Sequence, residues 1–200
     1  MATNEDNSST GNEAADASAA KERINNLVAV TVAILAAFMA ITKVTDDNVC
    51  QAMERTKADE VNTWSYYQSK SIKQNLAELG RAQLTSLART ATGDARVQIE
   101  AQVTKYDGEI ARYETEKAEI KTKAEGLAKK YDALNFRDDQ FDLSDATLSI
   151  ALAMLAVTAL TGKRWLLVTS WAIGGFGAVV GTAGLLKLGI SVAWLVKFLS

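Results

Sequence analysis

The 200-residue chain contains no proline and no histidine, and it has a single cysteine. Because proline breaks the interior of a helix, its absence is typical of a protein built from long uninterrupted helices. The lack of histidine removes the commonest general base and metal ligand. Cys50 alone cannot form an internal disulfide or a thiolate cluster. We interpret it as a buried or idle thiol, with a disulfide between chains as the alternative.

Motifs that carry chemistry are also missing. The net charge is −2 and no dense basic face occurs, which argues against nucleic acid as a partner. No G-x-x-x-x-G-K-[ST] segment exists to hold a phosphate. Ser69 and Lys70 are adjacent, so they would not face each other on a helix as a nucleophile and its base. We therefore expect no enzymatic activity, no catalytic residue and no cofactor.

An acidic group precedes the C-terminal apolar part of the chain. It lacks the ligand spacing and the invariant glycine of a calcium loop, so we interpret it as helix-capping and solvated, and we expect no metal site. Its members are Asp138, Asp139, Asp142 and Asp145.

Apolar residues concentrate towards the two ends of the chain. Residues 1–23 are polar with excess acidic charge and predict a disordered tail. Residues 24–44 supply the roughly 20 residues that a membrane-spanning helix needs. Residues 143–186 contain two apolar runs around the basic turn Gly162-Lys163-Arg164 and predict a transmembrane hairpin. Residues 187–200 suit a short helix in the membrane interface, or an extension of the third span.

The charged middle, residues 45–142, predicts two long helices joined by a turn near residues 92–94. In its second half, apolar positions alternate spacings of four and three, as in a coiled-coil seam. That seam comprises Ile99, Val103, Tyr106, Ile110, Tyr113, Lys117, Ile120, Ala124, Leu127, Tyr131 and Leu134. A looser apolar side in the first half comprises Met53, Val61, Trp64, Ile72, Leu76, Leu79 and Leu87. We predict an antiparallel coiled-coil hairpin.

Two groups of residues are candidate interaction surfaces. The first is Trp64, Tyr66, Tyr67 and Gln68. Trp64 and Tyr67, three residues apart, can join the seam, which leaves Tyr66 outside for contact with another chain. A surface for a different protein and a small-molecule site are the alternatives.

The second group is a glycine stripe in the last apolar run. It comprises Gly174, Gly177, Gly181 and Gly184. Small residues at this spacing let transmembrane helices approach closely, so the stripe predicts a packing face, either within one chain or between chains.

Three segments together resemble an uncharacterised bacterial membrane-protein family, domain-of-unknown-function family 4337. They are WSYYQSKSIK at 64–73, KYDGEI at 105–110 and TGKRWLL at 161–167. The resemblance covers residues 24–186 and implies the same architecture. It implies no activity, ligand or catalytic residue.

The sequence thus predicts an all-α membrane protein with three transmembrane helices and a long antiparallel coiled-coil hairpin between the first and second. We expect a structural scaffold or adaptor in a bacterial inner membrane. Its partners would be the bilayer, further copies of itself and another membrane complex. Basic residues in short loops place the N-terminus in the cytoplasm and the hairpin in the periplasm. The alternative function is an accessory or pore-forming subunit of a transport complex.

Overall fold

A computed structural model describes the backbone of residues 5–188 and the side chains of residues 18–188. Three helices account for nearly all of this part of the chain, and it contains no strand. Helix α1 spans Glu5–Ala88, α2 spans Gly93–Thr161 and α3 spans Arg164–Leu185. The all-helical fold class predicted from the sequence is confirmed for the described residues.

The start of α1 differs from the predicted disordered tail. The helix begins at Glu5, so residues 5–23 are helical in the structure. Five alanines lie between residues 14 and 20, and alanine has the highest helix propensity of any residue type. The segment also extends an existing helix, which avoids the cost of nucleating a new one. At the other end of the chain, the interfacial helix was predicted for residues 187–200. Residues 189–200 of that segment lie outside the described residues.

Each connection between helices contains a glycine with a left-handed backbone, at the start of α2 in the first and directly after α2 in the second. Residues 89–92 join α1 to α2, and Gly93 has φ +63°. Gly162, after α2, has φ +66°, and its amide donates to the Thr158 carbonyl at 2.8 Å. A side chain is strained at positive φ, so glycine lets the chain begin α2 at residue 93 and leave it at residue 162 at low cost.

The chain forms two compact units. One, here called the apolar unit, combines the chain up to Cys50 with the chain from Asn135 onward. The other, here called the helix pair, is Gln51–Leu134 and contains parts of α1 and α2.

The apolar unit has a small core to which all three helices contribute. Ile24, Val28, Leu155 and Leu167 form a buried cluster. Many other large apolar side chains of this unit are exposed, for example Leu160 at 80%. All three helices are long and apolar enough to cross a membrane. Apolar exposure on this scale is unusual for a soluble surface and typical of one that contacts a membrane or another protein.

The glycine stripe of α3 packs within the chain. Gly174 faces Leu35 of α1 and Ala151 of α2, and Gly184 faces Phe141. Gly177 and Gly181 lie against the turn of α2 that contains Ser144, whose hydroxyl donates to the Gly177 carbonyl at 2.8 Å. The missing side chains therefore allow α3 to approach its neighbours closely.

In the helix pair, contacts run in opposite directions along the two helices. Lys57 lies over the Tyr131 ring, Lys70 pairs with Glu116 and Arg81 pairs with Asp107. As the residue number rises along α1, its partner's number falls along α2. All eleven seam residues predicted in α2 are buried or half-buried.

Most of the predicted face of α1 in this pair is wrong, although Met53 and Trp64 are half-buried as expected. Five of its seven residues are more than half exposed: Val61, Ile72, Leu76, Leu79 and Leu87. Smaller and more polar residues are buried instead: Thr56, Gln74 and Ala77. The reason is size, because the seam of α2 carries several tyrosines. A Cβ on Gly80 would lie 3.0 Å from the Tyr106 ring, so α1 needs small residues opposite.

We expect Gly177→Ala to destabilise the folded chain by about 1–3 kcal/mol, because overpacking a tight contact costs this much. A Cβ there would lie 3.1 Å from Leu148 Cγ and 3.2 Å from the Ser144 carbonyl oxygen. Gly175→Ala is the matched control, since a Cβ at Gly175 meets no atom within 4 Å. Thermal unfolding in detergent measures both, and equal melting temperatures would contradict the packing described for α3.

Candidate functional site

The aromatic group on α1 divides between the inside and the surface of the helix pair. The rings of Trp64 and Tyr67 meet edge to face, with centroids 5.6 Å apart and an interplanar angle of 75°. Both are half-buried. Tyr66 is 53% exposed and Gln68 is exposed. The structure therefore brings Trp64 and Tyr67 together and leaves Tyr66 and Gln68 on the surface.

An ion pair connects this group to α2. Lys70 Nζ lies 2.6 Å from Glu116 Oε2, 5.2 Å from the centroid of the Tyr66 ring and 5.7 Å from that of Tyr113. The hydrogen bond with Glu116 raises the pKa of Lys70, and the same bond lowers the pKa of Glu116. Both groups are held in their charged forms, so Lys70 is unsuited to act as a general base.

A second lysine is accommodated in the seam next to these aromatics. Lys117 Nζ donates to Gln74 Oε1 at 3.2 Å and lies 5.3 Å from the centroid of the Tyr67 ring. Gln74 in turn donates to Glu78 Oε1 at 2.9 Å. These partners exist at one alignment of the two helices, so they favour a single register.

Tyr66 also borders an open surface groove between α1 and α2. Its other lining residues are Asp59, Asn62, Thr63, Ile120, Lys123 and Leu127. The aromatic group thus forms part of a shallow surface.

Five exposed apolar residues of α1 lie on one side of the helix, although the sequence predicts them to belong to the seam. The apolar stripe is Val61, Ile72, Leu76, Leu79 and Leu87. At 3.6 residues per turn, these five lie within about 80° of one another around the helix. The other residues on that arc are Ser65, Ser69 and Gln83, so the arc carries no charge. Gln68 lies about 20° from its edge.

A different cluster lies in the apolar unit and joins α1 to α2. The Cys50 thiol donates to Asp138 Oδ1 at 3.0 Å. Asp46, one helical turn before Cys50, is 4% exposed, and its Oδ2 accepts from Lys43 Nζ at 2.8 Å. One ligand atom each of Asp46, Cys50 and Asp138 lies within 4.8 Å of the others. We call these three residues the thiol–carboxylate cluster.

Negative charge dominates the surroundings of this cluster. The hydrogen bond to Asp138, together with burial and the charge of that carboxylate, raises the pKa of Cys50 to about 11. Burial raises the pKa of Asp142, and the charges of Asp138 and Asp46 raise it further. The sequence predicted a buried or idle thiol and a solvated acidic group. Cys50 is exposed, so it is not a buried thiol. Its bond to Asp138 was not predictable, because the two residues are 88 positions apart and only the fold brings them together.

These features define an all-helical protein, and the three helices of its described residues carry segments apolar enough to cross a membrane. The model of the family described as Domain of unknown function (DUF4337) matches residues 24–187, and the chain belongs to that family. The resemblance noted from the sequence is thereby confirmed. Comparison with curated proteins and with solved structures found no match.

We expect Asp138→Asn to lower the pKa of Cys50, because it removes the carboxylate that opposes thiolate formation. The thiolate is the reactive form, so alkylation at pH 8 should accelerate about tenfold or more. The rate is measured with a maleimide or iodoacetamide reagent in detergent and chelator. Asp139→Asn, the adjacent acid, serves as the control. Equal rates for Asp138→Asn and the unchanged protein would contradict the described bond.

Proposed function

We propose that the protein is a homo-oligomeric membrane scaffold or adaptor that crosses the bilayer three times and presents an antiparallel coiled-coil hairpin. The spans correspond to residues 24–44 and to the two apolar runs of residues 143–186. The apolar segments of the three helices support this proposal, together with the exposed apolar side chains of the apolar unit. In hydrocarbon these side chains would contact lipid.

Contacts within the helix pair support the coiled-coil hairpin. In such a hairpin, the residue number rises along one helix as the partner's number falls along the other. The seam residues of α2 are buried or half-buried at heptad spacing, and ion pairs join the two helices. We place it in the periplasm of a bacterial inner-membrane protein, with the N-terminus in the cytoplasm, on the basic residues of the short loops.

The apolar stripe carries the proposal that the protein is a homo-oligomer. Helices in water bury apolar faces of this kind, and α2 covers a different face of α1 in the helix pair. A second copy of the same chain offers a stripe of matching length and no opposing charge. Depletion of charge is typical of the centre of a protein–protein interface. Gln68 and Tyr66 would lie at the margin of the contact, whereas Trp64 and Tyr67 act within the chain.

We expect Leu76→Glu to weaken self-association, because it places a charge in an apolar contact. Loss of one buried leucine costs about 1.5–3 kcal/mol, which corresponds to at least about tenfold in the dissociation constant. Val97→Glu is the matched control, since Val97 is 65% exposed but lies on α2 outside the stripe.

Analytical ultracentrifugation of the full chain in mild detergent measures the association. A shift to smaller species with Leu76→Glu alone would support the stripe as the interface. If the unchanged protein is monomeric, the proposal of a homo-oligomer is wrong. If Val97→Glu weakens association as much as Leu76→Glu does, the apolar stripe is not the interface.

A further inference from the structure

The thiol–carboxylate cluster has the arrangement of a cation site between two helices. Asp46 and Cys50 are four residues apart, so they lie on one face of α1. Asp138 reaches the same point from α2, and its Oδ1 is 3.0 Å from Cys50 Sγ. Metal sites inside helical bundles are commonly built this way, from side chains on facing helices.

A buried oxygen without a partner points to a ligand at this place. The side chain of Asp46 is 6% exposed, and Lys43 occupies only its Oδ2. Asp46 Oδ1 is buried and accepts no hydrogen bond from the described residues. An unsatisfied buried carboxylate oxygen costs free energy, and a cation bound there would offset that cost.

We propose that Asp46, Cys50 and Asp138 bind a divalent cation of the zinc type, with water completing the coordination. This inference goes beyond the scaffold function and does not depend on it. Binding replaces the Sγ–H···Oδ1 hydrogen bond by a metal–sulfur bond, and the thiol proton leaves to solvent.

The distances allow such an ion with small movements of side chains. The three ligand atoms lie within 4.8 Å of one another. Even at that upper limit for all three distances, a central ion would be about 2.8 Å from each atom, against the 2.0–2.3 Å of zinc bonds. Closing the difference takes less than ~1 Å per ligand, within reach of rotamer adjustments.

Charge favours a divalent ion, and donor type favours the zinc class over calcium or magnesium. Two carboxylates and a thiolate carry three negative charges, and a divalent ion with the Lys43 ammonium carries three positive ones. The bound site is therefore neutral. Calcium prefers six to eight oxygen ligands, whereas a thiolate selects softer metals such as zinc.

The test uses the purified full-length protein in detergent with a non-thiol reductant, after chelator treatment and its removal. Zinc is titrated in competition with a chromophoric chelator, and we expect saturation at one ion per chain. Cys50→Ser and Asp138→Asn should each weaken binding by at least about tenfold, since even outer-shell partners contribute 10- to 100-fold. Asp47→Asn is the control, because it removes the same charge next to Asp46 from a residue outside the cluster.

Cobalt(II) supplies a second readout that a change in stability would not imitate. Coordination by Cys50 should produce a thiolate-to-cobalt charge-transfer band in the near ultraviolet, and Cys50→Ser should abolish it. The proposal is overturned if the unchanged protein shows no saturable zinc binding or no such band. Zinc binding of unaltered affinity in both Cys50→Ser and Asp138→Asn would overturn it as well. Circular dichroism checks that the variants remain helical, and the cobalt spectrum of the unchanged protein decides the matter if either does not.

Discussion

Backbone hydrogen bonding within each helix is the constraint on which the other features depend. In α1 the chain continues for 84 residues, through strongly apolar and strongly charged sequence, without a break. A helix satisfies its own amides and carbonyls in either environment, which a strand can do only with a neighbour. With no proline to interrupt it, the backbone remains the same while the side chains change their surroundings.

Size complementarity then decides which faces of these helices meet. In the helix pair, tyrosines of α2 require small or polar residues opposite, and α1 supplies Gly80, Ala77 and Gln74. The consequence is that the larger aliphatic residues of α1 are directed elsewhere. In the apolar unit, the same principle operates through the glycines of α3, which admit Phe141 and Leu35. Close packing and the exposed apolar stripe thus have one physical origin.

The two units differ in the partners that surround their charged groups. In the helix pair, Lys70 and Lys117 have carboxylate, amide and aromatic partners that hold their charge beside the seam. In the apolar unit, burial raises the pKa of Asp142, and the charges of the carboxylates Asp138 and Asp46 raise it further. An ion-paired lysine stabilises one register of the helix pair. Carboxylates grouped around a buried, unpartnered oxygen favour binding of a cation.

The sequence by itself determined the helical class, the apolar segments and the heptad face of α2. These follow from the missing proline, from composition and from local periodicity, which need no knowledge of neighbours. Composition does not predict the helix over residues 5–23, because it does not register that a helix, once nucleated, can extend through alanine-rich sequence.

Only the tertiary structure decided which face of α1 is covered, since most of the large aliphatic residues of α1 lie outside the contact and small or polar residues lie within it. Tertiary structure alone also placed the glycine stripe within the chain and joined Cys50 to Asp138. Contacts of this kind depend on which residues distant in sequence become neighbours, and neither periodicity nor composition records that.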